Sequence, residues 1–184
     1  MGPPWSVLAA AFTLGVAAAA PPVLQDSGKK MPEYELKAGF LYNFAKYVEW
    51  PADAFEKAET PITIAIVGTD PFGQVLEKTL KDRQAQDRKF SIVRYRDVGE
   101  LKPCHILFIP KTEKTRADIL KKVQGWPTLT VGEAEGFAQS GGAVNILIEK
   151  ERPRLEINQE VAEKAKLTIQ ARLLKLATLV KTEK

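Results

Sequence analysis

Cys104 and the chain's single histidine, His105, are the residues most suggestive of chemistry, because a thiolate beside an imidazole is a nucleophile with its base. They are adjacent, however, and neighbours in an extended segment point to opposite faces, so they cannot pair with each other. One histidine also cannot build a multi-histidine zinc site. In an apolar run, His105 reads as a hydrogen-bonded core residue and Cys104 as a small core hydrophobe, with a reactive or intermolecular thiol as the sharper alternative for the cysteine. Ser140-Gly141-Gly142 lacks the glycine two residues before the serine that a nucleophile elbow needs. The turn Gly68 to Gly73 is not a phosphate loop either, since Gln74-Val75 stands where Lys-Ser or Lys-Thr would follow. Asp70, with Pro71 behind it, reads instead as a helix N-cap, which would put a carboxylate where an anion would sit. The acids Glu133, Glu135, Glu149, Glu151 and Glu156 are spaced like surface and turn residues. No catalytic group, cofactor or metal is expected from this inventory.

Binding is the remaining option. Arg154, Arg172 and Lys175 would form a small anion site if the last helices fold over the end of the sheet; otherwise they form a solvated face. Trp50 and Trp126 stand next to prolines at element ends, where tryptophans pack as lids on a core or, when exposed, anchor a partner.

The elements that must position these residues start with Pro32 to Pro51, PEYELKAGFLYNFAKYVEWP, which reads as one amphipathic helix with a proline at each end. Leu36, Phe40 and Tyr47, flanked by Leu41, Phe44 and Val48, form its apolar stripe. Asn43 falls on that stripe and would need hydrogen-bond partners there. Beyond it, short β-branched or apolar runs at Pro61 to Val67, Lys89 to Tyr95, His105 to Ile109 and Pro127 to Gly132 read as strands. Helices are expected between them, from Pro71 to about Leu80 and from Thr115 to Val123, the latter with Ala117, Leu120 and Val123 on one face. Glu133 to Ser140 reads as a short helical turn closed by Gly141-Gly142. Ala143 to Glu149 and Arg152 to Asn158 read as an antiparallel hairpin, with Pro153 favouring an edge. Helices over Gln159 to Ala165 and Gln170 to Val180 close the chain, the last with Leu173, Leu176 and Val180 as its apolar face.

Strands alternating with helices imply an α/β fold: a mixed, mainly parallel central sheet of about six strands flanked by helices, in a single domain. Composition agrees, since 184 residues at 45% hydrophobic and 27% charged can bury a core without disulfides. The net charge of +4 is spread through mixed-sign segments, which argues against nucleic acid. Residues 1–20 carry no charged side chain and hold an apolar run from Val7 to Ala20, too short for a comfortable span, so they read as an export signal peptide. Residues 21–31 read as a flexible lead-in, leaving 32–184 as the domain.

Six motifs in order resemble the YfiR-type periplasmic family: LKAGFLYNFAKYVEWP from Leu36, Gly68 with Asp70-Pro71-Phe72-Gly73, Cys104 to Ile109, Leu129 to Gly132, Gly136-Phe137-Ala138 with Gly141-Gly142, and Leu155 to Asn158. The resemblance implies a periplasmic regulator rather than an enzyme. Its partner would be the periplasmic part of an inner-membrane diguanylate cyclase, held inactive so that cyclic-di-GMP output and biofilm formation fall, and the regulator would be a homodimer. It also implies a second cysteine where this chain has Ala65, in disulfide with the Cys104 position; without it, Cys104 is expected to be reduced and buried against Ala65. The alternative function is a periplasmic sensor of a nucleotide or amino acid held near Arg154, Arg172 and Lys175.

Overall fold

A computed structural model describes residues 32–149 and 152–183. The expected signal peptide and lead-in, and the Lys150-Glu151 turn of the hairpin, lie outside them.

The first helix, α1 (Glu33–Tyr47), begins at Pro32, whose carbonyl accepts from the backbone N–H groups of Glu35 and Leu36. Its far end is closed by a side chain distant in sequence: the Gln86 amide donates to the carbonyls of Ala45 (2.8 Å) and Val48 (2.7 Å). The chain then straightens into a two-residue strand, β1 (Val48–Glu49). The buried stripe of α1 is Lys37, Ala38, Leu41, Phe44 and Ala45, and Phe40 and Tyr47 are only half-buried. The helix is thus rotated from the expected stripe, and Asn43 is exposed rather than inside the core. Phe44 and Leu41, beside the expected stripe, are inside with Ala38 and Ala45, whereas Phe40 and Tyr47 are left at the margin.

The central sheet contains β2 (Ile62–Val67), β3 (Phe90–Tyr95), β4 (Ile106–Ile109), β5 (Leu129–Gly132), β6 (Val144–Glu149), β7 (Arg152–Ile157) and a last strand, β9 (Thr178–Leu179), in the order β3-β2-β4-β5-β6-β7-β9. Every pairing is parallel except β6 with β7. Between the strands lie α2 (Val75–Leu80) and α3 (Arg116–Lys122), and after β7 come α4 (Gln159–Lys164), β8 (Thr168–Ile169) and α5 (Ala171–Leu174). β8 pairs antiparallel with β1 in a separate two-stranded sheet.

Both faces of the central strands are covered, which explains their unbroken apolar runs. Ile62, Ile64, Ile66, Ile106 and Phe108 join α1 and α2 in one core; the intervening Ala65, Val67, Leu107 and Ile109 join Ile119 and Val123 of α3 in another. Burying each such large aliphatic or aromatic side chain contributes about 1.5–3 kcal/mol. In α3 it is Ile119 that is fully buried, while Ala117, expected on the apolar face, is exposed.

Two expectations fail for identifiable reasons. Asp70 does not cap α2: its Oδ1 accepts from Phe72 N at 2.7 Å in a tight local turn, and the helix starts at Val75 behind Gln74, which makes no side-chain cap. The helix expected over Gln170 to Val180 ends after one turn, and Thr178–Leu179 pairs parallel with Glu156–Ile157. The edge of β7 offers backbone partners, including the Ile157 carbonyl to Val180 N (2.9 Å), and the β-branched Thr178 and Val180 suit a strand. Leu173 is therefore buried, and Leu176 is not.

Candidate functional site

The strand order reverses between β2 and β4: β2 leads through α2 to β3 on one side, and β4 leads through α3 to β5 on the other. At such a reversal, the space beyond the carboxyl ends of the strands is where open α/β sheets hold ligands. In this chain the protein's own side chains occupy it. Glu133 follows β5 and Lys37 comes from the first turns of α1; the ammonium lies 2.5 Å from Glu133 Oε2, and the two side chains are 2% and 1% exposed. Glu33, one helical turn before Lys37, supplies a second carboxylate. Glu133 Oε1 also accepts from Lys111 N (3.0 Å), just past β4, and from the Tyr34 hydroxyl (3.4 Å). Burial, with Glu133 and Glu33 adding, pushes the Tyr34 phenol up to about 12. Phe72 packs its ring edgewise between Tyr34 (5.4 Å) and Phe108 (4.8 Å) and completes the plug.

The neighbouring turn is equally committed. Gly68 has φ +79°, and a Cβ there would sit 2.5 Å from Glu113 Oε2. Hydrogen bonds from the Thr115 N–H and hydroxyl hold the Glu113 carboxyl below its usual range. Asp70 pairs with Arg94 (2.7 Å), which also reaches Glu77 (2.6 Å).

His105 has no nitrogen left for a substrate. Nδ1 accepts from Thr63 N (2.9 Å), Nε2 faces the Ala54 carbonyl (3.1 Å), and the ring stacks on Phe55 at 4.4 Å. Burial is the main cause that lowers its pKa, with nearby Arg88 adding. Cys104 is a free, buried thiol in the same apolar cluster as Ala65, and burial pushes it up to about 12. A ring holds the Gly-Phe and Gly-Gly motifs together: Phe137 lies where a Cβ on either Gly132 or Gly142 would fall, so both positions exclude a side chain. Gly141, at φ +99°, and Gly73, at φ +54°, take backbone conformations that side chains disfavour.

The candidate binding residues do not converge. Trp50 is buried, its Nε1 donating to the His105 carbonyl at 3.1 Å, so it is a core lid and not an exposed anchor. Trp126 is half-buried against the α3 cluster. Arg154 bonds Glu149 and Glu156, each at 3.1 Å; Arg172 lies over the Tyr47 ring at 5.5 Å; Lys175 is exposed on the turn after α5. The structure shows no shared contact among the three: Arg154 is neutralised on the hairpin, and Arg172 lies over Tyr47 of α1. Of the acids read as surface residues, Glu133 and Glu156 are buried. One signal for the buried cluster was present in the sequence: Lys37 is spaced at i, i+4, i+7 and i+11 with Leu41, Phe44 and Val48, and a lysine on that stripe requires a buried partner.

The surface offers a different feature. Among the described residues the exposed large hydrophobics are Leu176 (73%) and Leu179 (56%), both at the β9 edge of the sheet. None of the described helices is long and apolar enough to cross a membrane.

In this α/β domain the space at the strand reversal holds the Lys37–Glu133 pair, and both nitrogens of His105 face backbone groups. The chain belongs to the YfiR/HmsC-like family, which it matches over residues 34–178. That family is one of periplasmic regulators associated with a membrane diguanylate cyclase. No curated protein matches the chain. Among solved structures, it is similar to the ABC domain from Streptococcus pneumonia in complex with L-Trp, at 13% identity and a TM-score of 0.46 over 64% of this chain. The match spans 55% of that chain, about half its length, and a likeness this slight carries no argument about function.

Proposed function

We propose that the chain is an exported repressor: freed of residues 1–20, it acts in the periplasm as a homodimer, binds the periplasmic part of an inner-membrane diguanylate cyclase and lowers cyclic-di-GMP output without catalysis of its own. Family membership across residues 34–178 is the observation that carries this reading. The plugged crevice and the engaged His105 support a role in binding over turnover. To repress, the protein must bind the inactive cyclase more tightly than the active one; equal affinity would shift nothing, and a near-complete switch needs a preference of about 10⁴-fold. Leu176 and Leu179 are the contact residues the exposure favours, with the open half of Trp126 as a further candidate.

The test is co-purification from the native host. Capture of a membrane cyclase, with cyclic-di-GMP rising when the gene is deleted, is the expected result. Leu176→Glu with Leu179→Glu should abolish capture while the circular dichroism stays unchanged. No cyclase, together with a normal cyclic-di-GMP level in the deletion, would sink the reading.

One observation favours a second reading, a small-molecule sensor. A cavity of about 560 Å³ lies among Leu120, Val123, Thr128, Thr130, Val161 and Lys164, within the usual range for a ligand pocket and with the exposed Lys164 on its wall. A thermal-shift screen of nucleotides and amino acids tests it, since a ligand of the folded state raises the melting temperature. Lys164→Ala, at an exposed position of the lining, would be expected to weaken the shift.

A further inference from the structure

At the opposite end of the sheet from β9, the edge strand β3 has nothing paired to its outer side among the described residues. In the parallel ladder with β2, the carbonyls of Lys89 and Tyr95 accept from Ile62 N and Gly68 N, so alternate residues of β3 face β2. Phe90, Ile92 and Arg94 therefore direct their N–H and C=O groups outward, a row of unmet backbone partners.

Their side chains share one face of the strand and, with α2, wall a groove of about 790 Å³. Its floor is apolar: Leu80, Phe90 and Ile92. Its rim is basic, since Lys78, Lys81, Arg83, Lys89 and Arg94 line it against only Glu77 and Asp82. Arg94 is already neutralised by Asp70 and Glu77, but Lys78, Lys81 and Lys89 form no ion pair among the described residues. Arg83 is held in place over the Tyr42 ring at 4.9 Å, and Tyr42 in turn packs edgewise on Phe90.

We propose that this edge is a second docking surface, which takes an extended acidic segment of a partner protein as an added strand. Backbone bonds to Phe90, Ile92 and Arg94 would supply the pairing, alternate apolar side chains would settle on the floor, and flanking carboxylates would meet the lysine rim. Charge selects this occupant over a second copy of the chain: an antiparallel self-pairing centred on Ile92 would bring two basic rims together, which like-charge repulsion opposes. The inference stands on the geometry of the edge and does not depend on the repressor reading.

The test uses the full chain and a dye-labelled peptide of about nine residues, valine alternating with threonine between glutamate ends, followed by fluorescence anisotropy at low salt. The expected result is saturable binding, weakened about tenfold by Lys81→Glu with Lys89→Glu, two exposed positions, and absent for the same peptide with lysine ends. Amide exchange at Phe90, Ile92 and Arg94 should slow on binding. Ile92→Pro, which removes an outward N–H while sparing the ladder to β2, should weaken binding as well; proline is tolerated on edge strands. No binding, equal binding of acidic and basic peptides, or binding that leaves those amides unprotected would overturn the proposal. So would self-association that Ile92→Pro abolishes, since that result assigns the edge to a second copy.

Discussion

Two ionic clusters lie near the carboxyl end of the sheet, and they differ in what water can reach. Lys37 and Glu133 are almost wholly enclosed, whereas Arg94 and Glu77 keep 40% and 44% of their side chains exposed. The two clusters use similar residue types and similar distances, so geometry alone does not rank them. Desolvation does. Each buried charge has lost its hydration and depends on its partner, while each exposed one exchanges protein for water at little loss. The buried cluster also ties together segments far apart in the chain, the start of α1 and the ends of β4 and β5, whereas the exposed one joins α2 and β3 to the turn that follows β2.

The largest expected effect follows from breaking the enclosed pair. Lys37→Met leaves the Glu133 carboxylate buried with only Lys111 N and the Tyr34 hydroxyl, and should cost about 3–5 kcal/mol in urea unfolding. Adding Glu133→Leu to it should recover part of that loss by removing the stranded charge. Recovery should stop short of wild type, because Lys111 N then loses its acceptor, at a cost of about 1–3 kcal/mol. A double variant no more stable than Lys37→Met would mean that the pair is not energetically coupled.

The next effect is alkaline. Tyr34 rises from an ordinary 10.0 to about 12 in the folded protein, so folding holds its proton more tightly than the unfolded chain does. Its contribution is intact below pH 10 and is lost as pH climbs towards 12. Cys104 adds a parallel loss from pH 9 to 12, since burial raises its thiol from 9.0 to about 12. Tyr34→Phe should shrink the tyrosine part of the profile, leaving the cysteine part and the share of Tyr95, whose phenol is also raised by burial. The exposed cluster should give no such alkaline signature, and an unchanged profile in Tyr34→Phe would remove the phenol from the account. At the acid end His105, whose pKa burial lowers, binds protons more readily when unfolded, so stability should fall as pH drops below about 6.5.

The difference between the clusters also explains what could be read from the chain. Strands β2 to β7 were visible because β-branched or apolar runs are a local signal, bounded by glycine, proline or polar turns. The α/β class followed from their alternation with helices. β9 was hidden because LLKLATLV satisfies a helical pattern locally, and only the unpaired edge of β7, some twenty residues away, makes it a strand. The lid role of Trp50 was among the readings of its place beside Pro51, but its bond to the His105 carbonyl joins residues 55 apart. Lys37 and Glu133 are 96 apart, and nothing between them marks the pairing. Asn43 is exposed because the helix buries the side of Lys37, Ala38, Leu41, Phe44 and Ala45, rotated from the side that Leu36, Phe40 and Tyr47 mark. Local patterning thus exposes elements; which charges are inside depends on how those elements meet.

The smallest expected effect is the sharpest check on that conclusion. Arg94→Ala removes the centre of the exposed cluster, leaving Asp70 and Glu77 without their cation. Glu77 can turn to water, and Asp70, only 16% exposed, keeps its bond from Phe72 N. The loss should be under about 1 kcal/mol, and it should shrink further in high salt, where exposed charges are screened. Salt should leave the Lys37→Met cost nearly unchanged, since ions cannot enter the enclosed site. If the Arg94→Ala loss matched that of Lys37→Met and resisted salt, burial would not be what separates the two clusters, and the Gly68 to Gly73 turn would have to be held by Arg94 as firmly as α1 is held by Lys37.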